Sequence, residues 1–471
     1  MDRRILGWLG IGIVLRLLIA PFSLQTDMLA VYWRSHLIAF DGTVYAEYMV
    51  NMGAHWLHAL WLLVAAPLLP DQAQLWTDPW WWADSGALAP QYLREFANRP
   101  DAFPTIFILK LPYLVLDLLT GLILVWMNKG QAAKRVVQGF ALWMVSPIGL
   151  YASAAFGRYE MFAVVFVVWA LMLAERNRWF WAALALGVGI TMRGYPLLLV
   201  PVFALVAPAG WFLGRGVGTP QAADLIADQA TGELDLSTEP TLAGWAWLGR
   251  LIAQVLWAVL ALIPFGIVMV INQIVGDSVG ELATLADYHT GSTYLAYRLD
   301  LPDDPGAIYF FGVGAVIVLL ALLGHQYGWF GQRVGAPDLW KWLFIFHGLM
   351  FALATFSVHY FVWFVPFVVL AIMRRPDWPG VGWLHLIQII TVFALADTIG
   401  GPGITLGLFS PLNPDMALAL PSLHDLVLTQ PETSEKLISV YRTVFLATTV
   451  VQLWPVVRDV QFLASPRELT S

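Results

Sequence analysis

Cysteine is absent from this 471-residue chain, and only 12% of its residues are charged. The first absence excludes disulfides, thiolate catalysis and cysteine-ligated metals. The second excludes an ordinary soluble domain, in which about 25% of residues carry charge. Neither a glycine-rich phosphate loop nor HExxH occurs, so nucleotide hydrolysis and zinc proteolysis lack their usual signatures. A net charge of −7 gives no reason to expect a nucleic-acid partner.

What fills the chain instead is apolar: 59% of residues are hydrophobic, with 24 Trp and 15 Tyr of the kind that anchor at membrane interfaces. A hydrocarbon core ~30 Å thick takes about 20 residues of helix to cross. Apolar runs predict spans near 5–24, 104–127, 136–152, 159–174, 179–193, 196–213, 245–274, 307–324, 338–358, 360–373, 380–396 and 437–455. The expectation is an all-α polytopic bundle of about 11–13 transmembrane helices. Met1-Asp2-Arg3-Arg4 followed by the apolar run Ile5 to Ala20 has the regions of a signal peptide, and we read it as an uncleaved first helix.

Charge sets the expected orientation. With the N-terminus inside, Arg3, Arg4, Lys129, Lys134, Arg135, Arg176, Arg178, Arg374 and Arg375 fall on short inner loops, as the positive-inside rule requires. Three outer segments are then long: 25–103, 275–306 and 397–436. Segment 45–69 is expected to lie in or re-enter the outer interface, with His55, Trp56, His58 and Trp61 at headgroup depth. The tract from Trp76 to Trp82 continues that aromatic theme. The inner loop 214–244, with Asp224, Asp228, Glu233, Asp235 and Glu239, reads as a solvated loop.

Ionisable groups at membrane depth are costly and tend to mark function. Here they collect on the outer side: Asp27 at the end of the first helix, Gly157-Arg158-Tyr159-Glu160, Arg193-Gly194-Tyr195-Pro196 at a broken helix, Asp287, His289 and Arg298 in the second outer loop, and His359-Tyr360. On the inner side we expect only simple Lys/Arg flanks. Any one outer residue is equally a helix-end polar group, an interfacial ion pair or a snorkelling arginine. Convergence of separate segments on one face is what points to a site. His55 and His58 have the spacing of a shared metal site but no evident third ligand, and no metal or other cofactor is expected.

Several segments together resemble a known family. Lys110-Leu111-Pro112-Tyr113 through Asp117 to Gly121, Trp143-Met144-Val145-Ser146-Pro147 followed by Gly157-Arg158-Tyr159-Glu160, Thr191-Met192-Arg193-Gly194-Tyr195-Pro196, and His359-Tyr360-Phe361-Val362-Trp363 resemble, in order, blocks of PIG-M-type mannosyltransferases of the GT-C superfamily. The resemblance runs from about Asp27 to Pro366. It departs from the family where the acidic signature is reduced to Thr26-Asp27-Met28, where Arg193 replaces the usual Lys, and where His359 replaces the usual Gln. These departures fit a distant bacterial relative.

The resemblance implies a GT-C-like catalytic module over 1–366 and C-terminal transmembrane helices over 367–471. It implies transfer of a sugar, mannose favoured, from a polyprenyl-phosphate donor to a glycolipid or glycan acceptor on the outer face of a bacterial plasma membrane. Asp27 is the expected base, with Asp41, Glu47, Asp84 and Asp101 in reserve. Arg193, with Arg158 as alternative, is expected to hold the phosphate. Glu160, Tyr195, Asp287, His289, His359 and Tyr360 are expected to bind substrate. The competing reading is a non-catalytic scaffold subunit or a lipid transporter; a transporter would show matching broken helices in two pseudo-repeated halves, and only the break near Arg193 is evident.

Overall fold

A computed structural model describes residues 2–44, 51–70, 75–76, 96–211, 243–275, 298–300, 307–327, 329, 334–354, 357–400, 405–413, 415 and 431–460. Fifteen α-helices are named below. They are α1 (Arg3–Ile19), α2 (Thr26–His36), α3 (Met52–Ala65), α4 (Ala102–Met127), α5 (Ala133–Val145), α6 (Pro147–Leu150), α7 (Glu160–Glu175), α8 (Trp179–Met192), α9 (Val200–Val206), α10 (Ala243–Val275), α11 (Phe310–Gln326), α12 (Leu339–Leu353), α13 (Val365–Arg374), α14 (Val381–Gly400) and α15 (Pro431–Asp459). Two strands of three residues, β1 (Arg298–Asp300) and β2 (Ala307–Tyr309), form an antiparallel ribbon, the one departure from an all-α chain among the described residues.

Each predicted span has a helix at its place. Among the described residues, five helices are long and apolar enough to cross a membrane: Arg3–Phe22, Ala102–Met127, Trp247–Val275, Val381–Ile399 and Glu435–Asp459. A sixth arises if α5 and the following Pro147–Phe156 segment, bent by 40°, form one span. That bend has a local cause: Pro147 has no N–H to give, and the Ser146 hydroxyl instead accepts from Gly149 N at 3.3 Å. The other predicted crossings are shorter helices. The 16 residues of α7 reach about 24 Å, less than the hydrocarbon thickness. An apolar run reports that a segment is dehydrated, whether lipid or protein surrounds it.

The long helices carry their large apolar side chains outward. On α10, Ile252, Val255, Val259, Ile263, Ile267, Val270 and Ile274 are all exposed, as are Val440, Val444, Val450, Val451 and Trp454 on α15. Apolar surface of this extent is what a lipid-facing helix presents. By contrast α7 is apolar all round and buried from Glu160 to Ala174 except at Phe166 and Trp169, the pattern of a central helix. It packs on α4 and α8, and α8 packs in turn on α10. Between α8 and α10 the backbones nearly touch: a Cβ on Gly187 would lie 2.3 Å from the Ala261 carbonyl oxygen. Lipid is as apolar as leucine, so close packing and polar pairing hold such helices together rather than the hydrophobic effect.

The segment after α1 holds helices, as expected of it, with α2 and α3 packed on each other. His55 and His58, expected at headgroup depth, are 1% and 0% exposed, turned inward by the packing of α3 on α8. Residue 366 lies in the first turn of α13, which packs on α5 and α12. Finally, the end of the bundle expected to hold only basic flanks carries ion pairs. Arg374 pairs with Glu175 at 2.6 Å, and Lys341 and Arg375 both reach Asp459, at 2.5 and 2.8 Å.

Candidate functional site

Four chain breaks bring the expected residues together at the other end of the bundle. Asp27 lies in the first turn of α2, one helix later than its expected place at the exit of α1. Its position at a helix N-terminus favours negative charge. Arg158 follows a π-turn, Tyr151–Phe156, that closes on Gly157 with φ of 68°. Glycine is required there twice over, since a Cβ would be strained and would meet Lys110 Cε at 2.7 Å. Glu160 opens α7, Arg193 closes α8, and a 3₁₀ helix over Val358–Trp363 carries His359, Tyr360 and Trp363.

Two arginines with different commitments organise this cluster. Arg193 is 6% exposed and fully engaged. Its Nε faces Glu160 Oε1 at 3.4 Å, Nη1 donates to the Tyr159 hydroxyl at 2.7 Å, and Nη2 donates to the Tyr360 hydroxyl. Glu160 is wholly buried, and its second oxygen accepts from Trp363 Nε1 at 2.8 Å. Arg158 is more open. Its Nη1 lies 2.7 Å from Asp27 Oδ2 and 3.2 Å from His359 Nε2, while Nε is buried with no hydrogen-bond partner. Because the guanidinium donates, His359 Nε2 accepts, which assigns the proton to Nδ1 and makes the ring neutral. The 3.9 Å approach of that ring to Glu160 is therefore not an ion pair.

Aromatic faces wall the cluster. Phe156 stacks on His359 with ring centroids 4.3 Å apart, and Trp363 is stacked between Tyr195, at 3.9 Å, and Tyr360, at 4.8 Å. Tyr195 is 2% exposed, so its effect on the cluster runs through Trp363. The Tyr159 hydroxyl also accepts from Asn51 Nδ2 at 3.0 Å. Buried polar atoms without a hydrogen-bond partner gather here: Asn51 Oδ1, His55 Nδ1, Arg158 Nε, Glu160 Oε1 and His359 Nδ1. Buried polar groups are nearly always satisfied, so each such atom asks for a reason.

Asp27, Arg158, Glu160, Arg193, Tyr195, His359 and Tyr360 thus form one assembly. Asp287 and His289 lie outside the described residues, as do the reserve acids Glu47 and Asp84. Asp101 pairs with Arg99 at 3.1 Å, and Asp41 sits in a π-turn after α2. His58 has both ring nitrogens bonded, Nδ1 to the Ala54 carbonyl at 2.5 Å and Nε2 to the Tyr113 hydroxyl at 2.6 Å, which leaves neither for a metal. No group of three or more His, Asp or Glu with metal-binding geometry occurs among the described residues. Asn51 and Trp363 were not among the expected site residues. Trp363 stands three residues after Tyr360, on the same face of the short helix, and that spacing is a usable signal; Asn51 gives none.

Two further polar assemblies lie close to the site. Lys110 is fully buried without a carboxylate. Its ammonium donates to Ser23 O, Ala154 O and Ala155 O at 2.5 to 2.8 Å, and so caps the carbonyl end of the π-turn that aims Arg158. Deeper in, Arg16 of α1 pairs with Asp117 of α4 at 2.7 Å, and Asp117 also accepts from Ser153 at 2.6 Å. No family model, no curated protein and no solved structure matches this chain.

Proposed function

We propose that the chain is a multi-pass membrane glycosyltransferase that moves a sugar, mannose favoured, from a polyprenyl phosphate to a glycolipid or glycan hydroxyl. The observation that carries the reading is the Asp27–Arg158 pair, a carboxylate and a guanidinium 2.7 Å apart with side chains 42% and 13% exposed, backed by orphaned buried polar atoms. A carboxylate base and a cation for phosphate are the two groups the reaction needs. Arg158 takes the phosphate role ahead of Arg193, whose donors are all directed at Glu160, Tyr159 and Tyr360.

In this reading the donor phosphate replaces Asp27 on Arg158, a charge-assisted contact suited to the guanidinium fork. The freed carboxylate accepts the acceptor's hydroxyl proton as that oxygen bonds to the anomeric carbon. The bond from that carbon to the phosphate oxygen breaks, and its electron pair leaves with the polyprenyl phosphate. One displacement inverts the anomeric centre. Arg193 and Glu160 hold the 3₁₀ helix and α7 in place behind Arg158.

The test is transfer from mannosyl polyprenyl phosphate to a glycolipid extract by purified protein, with glucosyl and arabinosyl donors in parallel. Wild-type transfer that is lost in both Asp27→Asn and Arg158→Ala, in protein that unfolds at the wild-type temperature, supports the assignment. Equal transfer by Asp27→Asn moves the base elsewhere, and no transfer from any donor favours the scaffold reading. Orientation follows from thiol labelling in intact cells. The chain has no cysteine of its own, so a single cysteine at Thr43 or at Gly130 reports its side unambiguously. Labelling at 43 and protection at 130 is the expected result.

A further inference from the structure

A groove of about 810 Å³ opens on the lipid-facing surface between α5 and the turn from α13 into α14, at the opposite end of the bundle from the cluster above. Its mouth is basic. Lys134 and Arg135 stand there on the first turn of α5, and Arg135 Nη2 is fixed by donating to Pro376 O at 2.7 Å. Lys134 is exposed and has no ion-pair partner among the described residues. The nearby carboxylate, Asp377, is already held by Arg375 at 2.7 and 3.0 Å, so it does not cancel the mouth's positive charge.

Beyond the mouth the groove becomes apolar, walled by Leu142 and Val145 on one side and Leu386 and Ile389 on the other. From Lys134 to Val145 is about 16 Å along the helix, close to the depth of one leaflet of a ~30 Å core. Trp383, 72% exposed on the rim, is the kind of side chain that sits at headgroup level. His385 also lines the groove; it is 0% exposed, and its Nε2 has no hydrogen-bond partner.

We propose that this groove holds one anionic glycerophospholipid, its phosphate between Lys134 and Arg135 and an acyl chain along α5 and α14. Charge complementarity selects the headgroup, and the leaflet-deep apolar wall selects a lipid over a free phosphate. The site is remote from the Asp27 cluster and does not depend on sugar transfer.

Native mass spectrometry of the full chain, titrated with dioleoyl phosphatidylglycerol or dioleoyl phosphatidylcholine, tests it. The expected result is one retained phosphatidylglycerol, bound at least tenfold more tightly than phosphatidylcholine. Lys134→Glu reduces that preference by tenfold or more, and Ala141→Trp, which fills the groove, lowers retention of phosphatidylglycerol. Equal retention of the two lipids by wild type overturns the proposal without recourse to any variant. So does wild-type retention of phosphatidylglycerol by folded Lys134→Glu. Tighter retention of a polyprenyl phosphate than of phosphatidylglycerol overturns the occupant.

Discussion

The arginine–aspartate pairs Arg16–Asp117 and Arg158–Asp27 have the same closest distance, 2.7 Å, and different surroundings. Arg16–Asp117 is sealed, with side chains 1% and 0% exposed, and Arg16 Nη1 also donates to the carbonyls of Gly12 and Met144 at 2.9 Å. Arg158–Asp27 sits at a mouth, with an aspartate 42% exposed and an arginine that also holds a histidine. A sealed pair joins helices, and its loss strands a charge where neither water nor lipid compensates it. An open pair is exchangeable, because a ligand phosphate or water takes the place of either partner. The pairing itself is therefore no guide to function; access is.

The sharpest way to break this comparison is to remove the sealed carboxylate. Asp117→Ala leaves the Arg16 guanidinium buried and uncompensated, and costs about 3–5 kcal/mol. Thermal unfolding in detergent should show it, and an Arg16→Met/Asp117→Leu double variant should recover most of the loss. If Asp117→Ala unfolds at the wild-type temperature, the pair is not structural.

Asp27→Asn is the complementary change. Transfer should fall by roughly 10²–10⁴-fold if the carboxylate is the base, while stability moves by less than about 1 kcal/mol, the usual limit for a partly exposed pair. A large stability loss with transfer retained would make the two pairs equivalent.

Gly157→Ala comes next. It places a Cβ at positive φ and against Lys110, so a cost of about 1–3 kcal/mol is expected. It should also lower transfer, because Arg158 is the next residue; unchanged transfer would separate the π-turn from the site.

The smallest effect belongs to a third pair, Arg375–Asp377, in the exposed turn between α13 and α14. The Arg375 guanidinium holds the Asp377 carboxyl at about 2, below its ordinary 3.8. A depressed carboxyl stabilises the fold above its ordinary value, and that contribution is lost as pH falls from about 4 toward 2. Asp377→Asn should flatten the unfolding temperature slightly over that window alone, and a wide change near neutrality would contradict the assignment.

Much of the architecture was legible in the sequence because dehydration leaves a one-dimensional trace. Each run from 5–24 to 437–455 became a helix. Helix length was not legible, because α7 and α8 are as apolar as a span yet have only 16 and 14 residues, and protein covers much of them. The site residues stood out singly, since an ionisable group beside an apolar run is conspicuous. Their partners did not. Arg158 and His359 are 201 residues apart, and Trp363 and Glu160 are 203 apart. Arg193 stood out on its own, but not that its Nε faces Glu160 and its two Nη donate to Tyr159 and Tyr360.

By itself, the sequence determined that the chain is a bundle of apolar helices without cysteine chemistry, and that its unusual polar residues fall at helix breaks. These follow from composition and from local rules: apolar length, proline and glycine at bends, charge at helix ends. The tertiary structure decided which charges meet, which pair is sealed and which is open, and that His55 and His58 turn inward rather than toward headgroups. Those outcomes depend on distances between segments far apart along the chain, and the energy of a buried charge is set by what surrounds it in space.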